Sequence, residues 1–163
     1  MTPAHFHIAA SHIPIVAVPL LLFLLIAGMT FKKRDLQWAA LIGLILVALA
    51  TIPIFLSGEE AEELVEHLPN ISEGLVESHE SSGKLAFILV LITGGISAGS
   101  LLFSKLRMSW APYLISATLV AGLASTGALV WAGNQGGKIE HLHVIDDTSS
   151  KSSVKSYEKH DHD

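Results

Sequence analysis

Apolar residues along this chain come in four long blocks, and the polar residues gather between them. The blocks fall at about 13–31, 36–56, 84–104 and 110–132, and none has Asp, Glu, Lys, Arg or His in its middle. A helix that crosses the hydrocarbon core of a bilayer needs about 20 mostly apolar residues. Each block therefore predicts one membrane-spanning helix. Pro14 fits the first turn of the first helix, and Pro19 predicts a slight bend. Thr51 and Pro53 predict a kink late in the second helix, and Ser57-Gly58 a stop. The third block contains GGISAGS, in which Gly95 and Gly99 have the G-x-x-x-G spacing. Ala121, Gly122 and Ser125 form similar small-residue rows in the fourth. Such rows let helices approach closely in lipid, where packing drives their association.

The polar connection from Ser57 to Gly83 contains GEEAEELVEHLPNISEGLVESHESSG. It is too long for a bare loop and has helical texture. Glu59 to His67 predicts one short helix, with Leu64, Val65 and Leu68 on its apolar side. Pro69-Asn70 breaks it, and Ser72 with Glu73 predicts a second piece carrying Leu75 and Val76 inward. Both are expected to lie on the membrane surface or to cap the bundle. The predicted fold is all-α: an integral-membrane four-helix bundle with short amphipathic helices in the loop between helices two and three. Residues 1–147 are expected to form this transmembrane domain, and 148–163 a polar, disordered tail.

Composition sharpens this picture. Half of the 163 residues are hydrophobic and only 15% are charged, which fits lipid better than water. The first block lacks a basic flank before it and exceeds the usual length of a signal core. It therefore predicts a retained anchor rather than a cleaved signal. With no cysteine in the chain, disulfides, thiolate metal sites, iron–sulfur ligation and covalent c-type haem attachment are excluded. The net charge of −5 comes mostly from the acidic connection, and no basic patch with interleaved aromatics predicts nucleic-acid binding.

Charge also predicts orientation. Lys32, Lys33 and Arg34 follow the first block, and Lys105 and Arg107 the third. By the positive-inside rule these turns belong on the cytoplasmic side. The acidic connection, with eight glutamates, and both termini then face outward. His12, His67, His79, His141 and His143 share that outer surface, and imidazole is the commonest metal ligand.

Three of these stand out. His12 sits where the chain enters the membrane. His79 begins the approach to the third block, with Glu77 and Glu80 beside it. A carboxylate such as Glu80 can fix the tautomer of a ligating ring. His141 follows Gly136-Gly137, a pair expected to end the fourth helix and fold the chain back over the bundle mouth. His67 lies one turn from Glu63, which is metal-ligand spacing but also ordinary helix pairing. His5, His7, His160 and His162 lie in terminal segments and are expected to be flexible.

At these residues the sequence resembles an uncharacterised bacterial membrane-protein family, domain of unknown function 2231. Its members are four-helix membrane proteins that open on a His-Pro pair, then valine, a second histidine and proline. In HIPIVAVP here, His12, Val16 and Pro19 match; Ile13 replaces the family's proline and Ala17 its second histidine. That departure removes one candidate ligand. The stretch SGEEAEELVEHLPNISEGLVESHE looks like the acidic loop of one branch of the family, and GNQGGKIEH resembles that branch's ending. The resemblance covers about residues 10–145 and implies the inner membrane of a bacterium as the location. Some relatives are joined to Rieske-type iron–sulfur domains, which implies redox company by analogy.

The expected function is a membrane redox protein. It would bind b-type haem through two of His12, His79 and His141 and pass electrons to partner proteins, with Glu80, Gly136 and Gly137 as supporting groups. One alternative is a mononuclear copper, zinc or iron site, in which the same three histidines are joined by a carboxylate such as Glu60 or Glu63. Another is a cofactor-free accessory subunit packed beside a larger membrane complex. Membrane lipid is an expected partner throughout, and a homo-oligomer stays open. A transporter is disfavoured, because no ionisable group lies at the midplane.

Overall fold

The structure, a computed structural model, describes residues 3–65 and 73–160, with side chains described at 5–61 and 74–138. Among the described residues there are four helices: α1 (Pro3–Thr30), α2 (Arg34–Val65), α3 (Glu73–Lys105) and α4 (Ala111–His160). Each contains a stretch long and apolar enough to cross a membrane. The chain is a multi-pass membrane protein, as its hydrophobic blocks predict. The helices pack in a ring: α1 on α2, α2 on α3, α3 on α4, and α4 back on α1. The pairs α1/α3 and α2/α4 lie across the diagonals.

The helices outrun their apolar blocks. With 28 residues, α1 is about 42 Å long, against a hydrocarbon core of about 30 Å. The 32 residues of α2 and 33 of α3 overreach further. The short amphipathic pieces expected between helices two and three are continuations of these helices: Glu59 to Val65 extends α2, and Glu73 opens α3. Extending an existing ladder adds a hydrogen bond per residue, whereas a separate helix needs a new nucleus. The Pro69-Asn70 break and His67 lie outside the described residues. Pro14 is interior rather than in the first turn, because α1 begins at Pro3. Likewise α4 runs through Gly136-Gly137, and α2 through Ser57-Gly58.

Glycine does not make the turns. Among the described residues no glycine has positive φ; Lys32 (φ 53°) and Arg107 (φ 56°) do. Each ends its helix in a Schellman-type cap. The Lys33 N–H donates to Gly28 O at 2.9 Å, and the Met108 N–H to Phe103 O at 3.0 Å. The basic residues of both turns therefore project at one end of the bundle. There Arg34 donates to the Ser104 carbonyl and lies over the Trp38 ring, 4.7 Å from its centroid. The indole N–H of Trp38 donates to Ser104 Oγ at 3.1 Å.

The two hairpins repeat one another. A single offset carries Ala10, Pro14, Val18, Leu22, Leu25 and Gly28 of α1 onto Ser82, Ala86, Val90, Gly94, Ser97 and Ser100 of α3, and all twelve are buried. A second offset carries Ala40, Leu44, Val47, Thr51 and Ile54 of α2 onto Thr118, Gly122, Ser125, Leu129 and Ala132 of α4, again all buried. The chain is two similar α-hairpins packed about an approximate two-fold axis. Their cores differ in chemistry. Hydroxyls pair across α3–α4, Thr93 with Ser125 at 2.9 Å and Ser100 with Thr118 at 3.0 Å. Such bonds hold helices together where lipid offers no partner.

The glycines of GGISAGS divide by face. A methyl on Gly94 would stand 2.4 Å from Ala48 Cβ, while Gly95 and Gly99 have no neighbour within 4 Å. The close helix contact is thus made by Gly94, and the G-x-x-x-G pair does not make it. Gly94→Ala should lower stability by about 1–3 kcal/mol, the usual penalty for overpacking. Gly95→Ala should be neutral or slightly stabilising. Denaturant unfolding in detergent, followed by circular dichroism, checks both, and equal effects would contradict this packing.

Candidate functional site

At the end of the bundle away from the basic turns, two imidazoles meet across a diagonal. The ring centroids of His7 on α1 and His79 on α3 are 6.4 Å apart, with their planes 84° from parallel. Both residues are half-buried. Each ring also reaches sideways to a neighbouring helix. His7 Nδ1 lies 2.9 Å from the Ile54 carbonyl of α2, and His79 Nδ1 lies 3.1 Å from the Ala132 carbonyl of α4. A carbonyl only accepts, so Nδ1 carries the proton in both bonds. In the neutral rings, Nε2 then keeps its lone pair.

A glycine one turn beyond each carbonyl makes this reach feasible. A Cβ on Gly58 would stand 2.7 Å from His7 Cε1, and a Cβ on Gly136 would stand 2.9 Å from His79 Cε1. Each ring therefore lies on the bare backbone of a glycine to touch the carbonyl four residues earlier. The two halves obey the same offsets as the helices: His7 maps to His79, Ile54 to Ala132, and Gly58 to Gly136. One imidazole comes from each hairpin, in equivalent settings.

Around His79 the packing is polar. The Gln135 amide donates to Ser78 Oγ at 2.9 Å, and Ser82 Oγ donates to the His79 carbonyl at 2.9 Å. Glu80 pairs with Lys84 on its own helix. Phe55 of α2 and Phe87 of α3 stack at 4.3 Å.

The structure places the sequence-predicted residues unevenly. His79 is at the site, and Gly136 supports its ring. His12 is exposed, and its Nδ1 is 2.9 Å from Ile8 O on its own helix, so it is not brought to His79. Glu80 does not orient the His79 ring; the Ala132 carbonyl does. Gly137 has no neighbour within 4 Å, and Glu60 is exposed. The side chains of His141 and Glu63 lie outside the described residues. No group of three or more His, Cys, Asp or Glu arranged to hold a metal occurs among the described residues.

His7 is the residue that sequence reasoning passed over as terminal. Its signal was periodic. His7 stands as far before Ala10, Pro14 and Val18 as His79 does before Ser82, Ala86 and Val90. No protein-family model, curated protein or solved structure matches the chain.

The two ring centroids lie 6.4 Å apart. Metal–imidazole bonds of about 2.0–2.1 Å would put two opposed rings on one ion about 6 Å apart, centroid to centroid. The backbone carbonyl on the far nitrogen fixes the tautomer of the ring. Ring ¹⁵N chemical shifts of the neutral imidazoles should show Nδ1–H and bare Nε2 in both residues. Gly136→Ala should abolish that signature at His79 while leaving it at His7. An Nε2–H tautomer in the parent protein would contradict the carbonyl bonds.

Proposed function

We propose that this membrane protein binds b-type haem between His7 and His79 and exchanges electrons with a partner protein at that membrane surface. The observation that carries the reading is the pair itself: two imidazoles from equivalent positions, with tautomers fixed by carbonyls and spacing suited to one iron. This donor set fits an axial pair and needs no cysteine. When bound, the haem supplies one-electron chemistry. The chain's own residues do the rest. Ile54 and Ala132 aim the rings through their carbonyls, and Gly58 and Gly136 leave room for them.

The positive-inside rule would put the basic turns in the cytoplasm and the histidine pair at the outer surface of a bacterial inner membrane. The resemblance to a family with Rieske-linked members supplies the redox character by analogy. Two further readings share the site. A single copper, zinc or iron ion could use the same two nitrogens with further ligands. Alternatively the pair is only a fastener in an accessory subunit, which is favoured by the bonds that already tie α1 to α2 and α3 to α4.

Absorption spectra of the protein made under haem-replete conditions, oxidised and then dithionite-reduced, separate these readings when combined with metal analysis. The haem reading expects a Soret band that shifts on reduction and is lost in His7→Ala and in His79→Ala, but kept in His12→Ala. A colourless protein with one equivalent of metal would favour the ion. No cofactor, with lowered stability in both variants, would favour the fastener.

A further inference from the structure

Positive charge gathers at the end of the bundle remote from the histidines. The α1–α2 turn supplies Lys32, Lys33 and Arg34, the α3–α4 turn supplies Lys105 and Arg107, and Asp35 is the one carboxylate beside them. All six side chains are exposed. Arg34 is committed: it donates to the Ser104 carbonyl and lies over the Trp38 ring. That bond fastens one turn to the other. Lys33 and Lys105, the chain neighbours of the bonded residues, therefore stand at the same junction. Among the described residues, the side chains of Lys32, Lys33, Lys105 and Arg107 have no hydrogen bond or ion pair.

Two of these cations sit on strained backbone. Lys32 and Arg107 have φ of 53° and 56°. In that left-handed region a Cβ crowds the following carbonyl, and glycine is the usual choice. Both turns hold a long basic side chain there instead, so the turn geometry accounts for neither cation. Apolar side chains flank the same charges. Phe31 precedes Lys32, Leu106 and Met108 bracket Arg107, and all three are exposed. Trp110 and Tyr113 follow, also exposed, with ring centroids 5.9 Å apart. Exposed apolar groups beside unpaired cations do not suit a soluble anion. They suit an amphiphile whose chains meet the apolar side chains and whose head meets the charge. The histidine end has the reverse sign. Glu59, Glu60 and Glu77 are exposed there, and its described lysines, Lys84 and Lys138, are bonded to Glu80 and Gln135.

We infer that the two basic turns together bind the phosphate headgroup of an acidic phospholipid, with Lys32, Lys33, Lys105 and Arg107 on the head and the flanking apolar side chains against its tails. A lipid held there bridges the first hairpin to the second, at the end that the histidine pair does not reach. Neither haem nor the side of the membrane on which this end lies enters into it.

The test places the full chain in nanodiscs of phosphatidylcholine alone, or of phosphatidylcholine mixed with phosphatidylglycerol, and follows thermal unfolding by circular dichroism. Native mass spectrometry of the detergent-purified protein, titrated with phosphatidylglycerol, reads binding directly. The parent should bind this lipid and unfold at a higher temperature in the mixed discs, and high salt should shrink the gain. Lys32→Gly with Arg107→Gly removes two charges and the backbone strain together. This pair should be at least as stable as the parent in phosphatidylcholine. It should nevertheless bind phosphatidylglycerol about tenfold or more weakly. Lys33→Gln with Lys105→Gln removes two charges without touching a left-handed residue, and should weaken binding alike. Lys32→Arg with Arg107→Lys keeps the charges and should bind as the parent does. A parent that gains nothing from phosphatidylglycerol overturns the surface. So does an equal gain in the parent and both charge-removing pairs, or a gain that inorganic phosphate reproduces in phosphatidylcholine discs. A glycine pair destabilised equally in both kinds of disc would make the cations helix caps and overturn it too.

Discussion

An imidazole can lie against the carbonyl of a neighbouring helix only where that helix carries no side chain one turn further on. Gly58 and Gly136 meet this condition, and the site depends on them. The carbonyls of Ile54 and Ala132 sit in continuous helices, where the regular ladder already uses one lone pair of each. At Ala132 the second lone pair takes the imidazole N–H, and at Ile54 the carbonyl accepts both the His7 ring and Ser57 Oγ, the latter at 2.7 Å. At a membrane boundary, where water is scarce, such a bond satisfies the ring and holds it in one orientation. Two helices are tied together each time, α1 to α2 and α3 to α4. The rings then meet on the remaining diagonal, so all four helices converge on one pair of side chains.

The same economy runs through the rest of the bundle. Lipid gives apolar side chains no reason to cluster, so the helices are held by close backbone approach and by internal polar bonds. Gly43 against Leu21, Gly94 against Ala48 and Gly122 against Leu22 provide the first. Thr93 with Ser125 and Ser100 with Thr118 provide the second. Glycine is thus used for contact and not for turning, and the turns fall to left-handed Lys32 and Arg107. Placing cations there complements the negative ends of α1 and α3 and collects positive charge at the end remote from the histidines. The approximate two-fold repeat gives the histidine end two equivalent halves. It departs from symmetry where two stacked phenyl rings, Phe55 and Phe87, correspond to Ile15 lying on the bare backbone of Gly133.

The spans were legible because an apolar block of about 20 residues has one economical structure in lipid. The helix ends were less so. Ser57-Gly58 and Gly136-Gly137 read as stops because glycine so often ends a helix, yet here each pair lies inside one. What local sequence could not show was that a ring from another helix lies on Gly58 and on Gly136. His79 was legible from its place before an apolar block. His7 was hidden by its place near a terminus, and His12 drew attention through its fit to a family motif. Burial separates them: His12 points out from α1, while His7 stands in register with the buried row from Ala10 to Gly28. That register could have been read by sliding the first hairpin over the second.

The central claim is that His7, and not His12, meets His79. Because the native chain has no cysteine, introduced thiols would be the only ones present. The direct measurement compares His7→Cys with His79→Cys against His12→Cys with His79→Cys, each treated in native membranes with a short bifunctional methanethiosulfonate and scored for intramolecular cross-links by peptide mass spectrometry. The account expects efficient linkage between positions 7 and 79 and little between 12 and 79. Linkage of 12 to 79 in preference to 7 would contradict it and return the site to the pairing first read from the sequence.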